Sequence, residues 1–225
     1  MNHEIIDTYL DLIAELDGGE PDVDVIRGLL SEVESDANLD SAGQALLRGY
    51  MGYHFREVIT QVDCEAEFRH VLNHAPDHHL AILHLGYQTF DTGNYVTALE
   101  QFQKIDLNKH YLWSQIKIRE LIIACNLQLG QFTSAEKKLP LVLGQAMNLM
   151  IEEYALPTEL MRAWAENAAA FQSEIGAASY DQCFTLLNEV IQKHDLFDLF
   201  QEQLAQIQAV PSSAVSKEAE SDETR

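Results

Sequence analysis

His70, His74 and His78 stand four residues apart, with His79 and His84 beyond them. Imidazoles at i and i+4 share one face of a helix and can hold zinc. Pro76 falls between the second and third, so a helix carrying His70 ends near His74 and the three rings do not share a face. Histidines there suit the negative end of the helix dipole instead. The reading is no metal site and no cofactor. Other chemistry finds no motif either: HExxH, GxSxG, a phosphate loop and a dinucleotide fingerprint are all missing. Glu152 and Glu153 are adjacent, but on a helix they diverge by about 100° and make no acid/base dyad. Glu159 and Glu166 read as surface residues. No catalytic residue is assigned, and a helical enzyme with a dispersed site has nothing in the sequence to favour it.

Charge is the strongest compositional signal. The 225 residues carry 36 acids against 14 bases, a formal net charge of −22. Half of that excess precedes Ser41, where twelve acids face only Arg27. Such a field repels nucleic acid and anionic lipid and attracts basic proteins. Asp11, Glu15, Asp22 and Asp24 are the candidate acidic surface; the alternative is a solvated face that keeps the protein soluble. Cys64, Cys125 and Cys183 are far apart and odd in number, so buried reduced thiols are expected. No apolar run approaches the roughly 18 residues that span a bilayer. MNHEIIDTYL has no basic region before an apolar core, so it is not read as a secretory signal. The expectation is a cytoplasmic protein with neither a membrane nor a nucleic-acid partner.

The elements that would position any site are helical. Ile5, Ile6, Tyr9, Leu10, Leu12, Ile13 and Leu16 recur at three-to-four spacing, and Asp17-Gly18-Gly19 ends that helix. Pro21 opens a second helix with Val25, Ile26, Leu29, Leu30 and Val33. Pro157 opens another, Ser179 and Gln182 suggest a capping box, and His194 to Ile207 forms the last. No sustained alternation marks a strand, so the class is all-α. Four segments follow: an acidic helical pair over 1–40, repeats over 41–146, capping helices over 147–209, and a polar tail over 210–225 that is expected to be disordered.

The middle segment repeats. Moving back one period of about 34 residues, Met51, Gly52, Cys64, Phe68 and Val71 take the places of Leu85, Gly86, Ala98, Phe102 and Ile105. Moving forward, with three extra residues, Ile122, Ile123, Gly130, Phe132, Ala135, Leu139 and Val142 align, so Gly130 and Phe132 match Gly93 and Tyr95. The first copy has Ile59 where the turn glycine belongs, and the third has Pro140 inside its second helix. The pattern resembles the tetratricopeptide repeat family, whose unit is a helix-turn-helix with small residues at the two glycine and alanine places. The resemblance covers less than half of the chain. It implies an α-solenoid with flanking helices, in which Gly86 and Ala98 allow close helix approach and Gly93 makes the turn.

The resemblance further implies a concave face lined by the first helix of each copy, which holds an extended peptide or a partner's helix. The lining candidates are then Tyr50, Tyr53, Arg56, His84, Tyr87, Asp91, Lys117, Glu120 and Gln128. The family's clamp for a C-terminal carboxylate is not matched: Gly49, Tyr53 and His84 stand at its places, and only Lys117 fits. Two functions are weighed: an adaptor or chaperone-like scaffold for a protein partner, and an acidic inhibitor or immunity-type protein that neutralises a basic nuclease or toxin. Phe197 and Phe200 serve either a cap or a contact between two copies. Calorimetric titration of micromolar zinc into the protein should give no binding heat; a saturable isotherm would overturn the no-metal reading.

Overall fold

The computed structural model describes residues 2–19, 22–149 and 157–210. Those residues form eleven α-helices and one short 3-10 turn, with no strand among them. Pro21, Glu152, Glu153 and the tail from 211 lie outside the described residues. No described helix is long and apolar enough to cross a membrane. The chain divides into two compact units, 1–105 and 106–225. That division falls between the second and third repeat copies.

The first unit contains α1 (His3–Asp17), α2 (Val23–Ser35), α3 (Ser41–His54), α4 (Cys64–His74), α5 (His79–Asp91) and α6 (Tyr95–Phe102). Side-chain caps start five of these helices. Asp22, Asp40, Asp63, His78 and Asn94 each accept a hydrogen bond from a first-turn backbone N–H, each worth about 1 kcal/mol. Part of the acid excess is therefore capping chemistry. The helices α1 and α2 rest on α3, α3 pairs with α4, α4 packs on α5, and α5 pairs with α6. Ile6, Ile13, Ile26, Val33, Leu46, Leu47, Met51, Phe68 and Leu85 meet in one core. The Tyr9 hydroxyl joins α1 to α2, lying 3.1 Å from Asp36 and 3.3 Å from Glu32. Burial, then the bond to Asp36, pushes this phenol up to about 12.

Glycines set the separation within the hairpins. A Cβ on Gly86 would stand 2.6 Å from Phe102 Cε1, and one on Gly52 would stand 2.8 Å from Cys64 Sγ. Gly93 takes φ +79°, and the Asn94 N–H reaches back 2.8 Å to the Thr89 carbonyl, closing α5. In the first copy, with Ile59 in place of that glycine, residues 55–63 form a longer connection and α4 begins at Cys64.

The second unit contains α7 (Leu112–Gln128), α8 (Phe132–Ala146), α9 (Thr158–Ile175), α10 (Ala177–Lys193) and α11 (Phe197–Gln208). The C-terminal half of helix α7 is buried on every face, from Glu120 to Leu127, and Ile116 and Ile118 are buried before it, while Leu112 and Trp113 at its start are exposed. It packs on α8 and α9; α10 packs on α8 and α9, and α11 on α9 and α10. Trp164, Phe171 and Tyr180 form an edge-to-face aromatic core, and the Tyr180 hydroxyl donates to the Ile207 carbonyl at 2.9 Å. His194 Nε2 lies 3.0 Å from the Ala146 carbonyl, and Lys193 Nζ bonds the Met147 carbonyl. Both serve the electron-rich end of α8.

Two local expectations are corrected. Ser179 and Gln182 lie inside α10 and cap nothing, because Gly176 at φ +84° breaks the chain earlier and α10 starts at Ala177. The last helix starts at Phe197, not His194: Asp195 takes φ +53° and the Leu196 N–H bonds the Ile191 carbonyl, ending α10 there. Phe200 is buried within its own unit, whereas Phe197 remains exposed. All three cysteines are buried and unpaired, and burial raises each thiol's pKa.

In urea unfolding, Gly86→Ala should lower stability, because overpacking of ~1–3 kcal/mol outweighs a gain of up to about 1 kcal/mol in helix propensity. Gly144→Ala, with nothing within 4 Å of the added carbon, should raise stability by about 0.5–1 kcal/mol. Equal responses would contradict the close packing of Gly86 on Phe102.

Candidate functional site

Three Gly-Tyr dipeptides build the site: Gly49-Tyr50, Gly52-Tyr53 and Gly86-Tyr87. Each glycine faces the second helix of its hairpin. The position of a Cβ on Gly49 lies 3.0 Å from Phe68, while Gly52 faces Cys64 and Gly86 faces Phe102. The tyrosine that follows is turned by about 100° onto the neighbouring face. Tyr50, Tyr53 and Tyr87 thereby gather over His84, all three half-buried.

His84 is the floor. It is 5% exposed, and its ring lies among Tyr50, Tyr53, His54, Phe68 and Tyr87 at centroid distances of 4.6, 5.5, 5.5, 5.8 and 5.6 Å. Tyr53 and Tyr87 lie nearly parallel at 6.2 Å, and Phe102 braces Tyr87 at 5.7 Å. Among the described residues, buried Nδ1 of His84 and Nε2 of His54 find no hydrogen-bond partner. Burial, then the neighbouring His54 and His79, pushes the His84 imidazole down to about 3. It is neutral at physiological pH.

Carboxylates stand at the rim. The Tyr53 hydroxyl donates to Asp91 Oδ2 at 3.2 Å, and Arg56 Nη1 is 3.6 Å from the same oxygen. Burial and Asp91 raise the Tyr53 phenol, and burial and Asp17 raise that of Tyr50. His54 Nδ1 lies 2.9 Å from Asp17 Oδ2 and ties the end of α1 to the end of α3. Asp17 and His54 were not among the sequence candidates. The spacing of Tyr50 and His54, one helical turn apart, was the available signal; the partnership with Asp17 had none.

The structure brings six of the lining candidates together: Tyr50, Tyr53, Arg56, His84, Tyr87 and Asp91. His84 does so from beneath the surface, since burial takes it out of the lining itself. Lys117, Glu120 and Gln128 belong to the second unit, and there α9 engages them. Lys117 Nζ bonds Glu159 and lies 3.9 Å from Glu120, which is 1% exposed. Gln128 donates to Glu166 at 2.5 Å and accepts from Asn167 at 3.4 Å. Glu120 is thus an interior residue, and Glu159 and Glu166 are partners of α7 as well as surface residues. Asp11, Glu15 and Asp24 are exposed, and Asp22, also exposed, is the cap of α2. His70 and His74 rings lie 4.6 Å apart, His78 caps α5, and the described residues contain no cluster of three His, Cys, Asp or Glu that could hold a metal.

No family model, curated protein or solved structure matches this chain.

The depressed His84 pKa fixes a sign. Between about 3 and the ordinary 6.5 the unfolded chain binds a proton that the folded chain refuses, so stability falls as pH falls through that window. The slope is at most about 1.4 kcal/mol per pH unit. His84→Gln should flatten the loss of stability between pH 7 and pH 4; an unchanged slope would show that His84 titrates freely in the folded protein.

Proposed function

We propose that the protein is a non-catalytic, cytoplasmic interaction scaffold of the tetratricopeptide-like kind, an adaptor or chaperone that holds a protein or peptide partner against α3 and α5. The observation that carries this reading is the tyrosine face over His84. Tyrosine offers large, rigid contact area with a polar tip, the profile of residues that dominate binding energy. Two further features support it. The first unit pairs helices as α3–α4 and α5–α6 with glycine at the contacts, as the repeat unit requires. The sequence also carries no HExxH, GxSxG, phosphate-loop or dinucleotide motif.

The neutralising reading keeps one specific support. Asp17, which ends α1 within the acidic segment, is joined to the tyrosine face through His54, so one basic partner can meet both. Electrostatic steering would then set its association rate.

Partners captured on the immobilised full chain, identified and titrated back as pure proteins, test the proposal. Tyr53→Ala combined with Tyr87→Ala should weaken binding at least tenfold while helical content is retained. Asp11→Lys with Glu15→Lys and Asp24→Lys should slow association and spare the dissociation rate. Undiminished binding by the tyrosine double variant would remove the scaffold reading, and an unaltered association rate would remove the neutralising one.

A further inference from the structure

The geometry points to an arginine side chain, carried on a basic segment of the partner, as the occupant of the Tyr53–Tyr87–Asp91 face. This rests on the scaffold reading and names what the face recognises. Aromatic ring faces attract cations within about 6 Å of their centroids, and Tyr50, Tyr53 and Tyr87, half-buried, each keep part of their surface accessible on one unit. Asp91 stands beside Tyr53 with its side chain 38% exposed, and Asp17 stands beside His54 at 45%. A cation on these rings has a carboxylate within reach.

The floor is compatible with such a guest. A protonated His84 would repel an incoming guanidinium; buried and neutral, it does not. Its unpartnered Nδ1 adds a polar, uncharged atom to an otherwise aromatic layer. The protein also supplies its own stand-in. Arg56 holds Asp91 loosely at 3.6 Å with its side chain 73% exposed, so the carboxylate already accepts a guanidinium that an incoming one can displace. Arginine fits better than lysine because its planar head stacks on tyrosine and forks onto a carboxylate at once. Exposed Asp11, Glu15 and Asp24 on the same unit attract the basic segment from a distance.

The test is fluorescence anisotropy of the full chain, at physiological salt, with a labelled peptide of repeated Gly-Ser-Arg triplets. Matched peptides carry lysine or the neutral isostere citrulline. The arginine peptide should bind at least tenfold tighter than the citrulline peptide and severalfold tighter than the lysine peptide. Tyr87→Leu and Asp91→Asn should each weaken it severalfold. Arg56→Gln should tighten it, whereas Arg69→Gln, which removes the same charge from an i,i+4 pair on α4, should not. Three results would overturn the inference: no arginine binding, equal binding of arginine and lysine peptides, or indifference to the Tyr87 and Asp91 variants. If the peptide fails while the Tyr53/Tyr87 double variant still releases the captured partner, the arginine assignment falls and the scaffold reading stands. If that variant retains its partner as well, both fall.

Discussion

The contact between Phe102 and the bare Cα of Gly86 is the constraint from which the first unit's binding face follows. A side chain on Gly86 would hold α6 away from α5. Without one, Phe102 settles against α5 and braces the next residue, Tyr87. Tyr87 then lies parallel to Tyr53, which follows Gly52 in the neighbouring hairpin. Gly49 does the same for Phe68, whose ring lies beneath His84. Helix spacing and the aromatic face therefore share one cause. Glycine's cost in helix propensity, about 1 kcal/mol each, is the cost of placing the tyrosines.

That arrangement also explains why a histidine with a buried, unpartnered nitrogen is tolerated. A neutral imidazole is a flat, polarisable ring that packs among aromatics, and burial keeps it neutral. Three of the roles that the acids take bear on this face and its surroundings. Asp22, Asp40 and Asp63 cap helices, Asp17 and Asp91 stand at the tyrosine face, and Asp11, Glu15 and Asp24 remain in solvent. Of these, the last group acts at long range, with no local contact to serve among the described residues.

Much of this was legible where the signal is local. Turn glycines Gly93 and Gly130, the stripe from Ile6 to Ile13, and the 34-residue recurrence of Gly52 at Gly86 all depend on neighbours within a turn or on a fixed period. What failed depends on distant residues or on unusual backbone. Asp195 ends α10 in a conformation that glycine normally marks, so no residue type announced it. Glu120 reads as a lining residue until α9, some forty positions later, covers α7 and brings Glu159 to Lys117. His84 has the spacing of a surface residue and the burial of a core one. The three Gly-Tyr pairs were visible, but their meaning required knowing which face each glycine meets.

Amide hydrogen exchange on the full chain, with and without saturating arginine peptide, reads out directly whether the tyrosine face is where the guest binds. Added protection is expected to be confined to the end of α3, around Tyr50 to His54, and to α5 from His84 to Asp91. Protection centred on α1 and α2, or in the second unit, would contradict it and transfer binding to the acidic surface or away from the tyrosine face altogether.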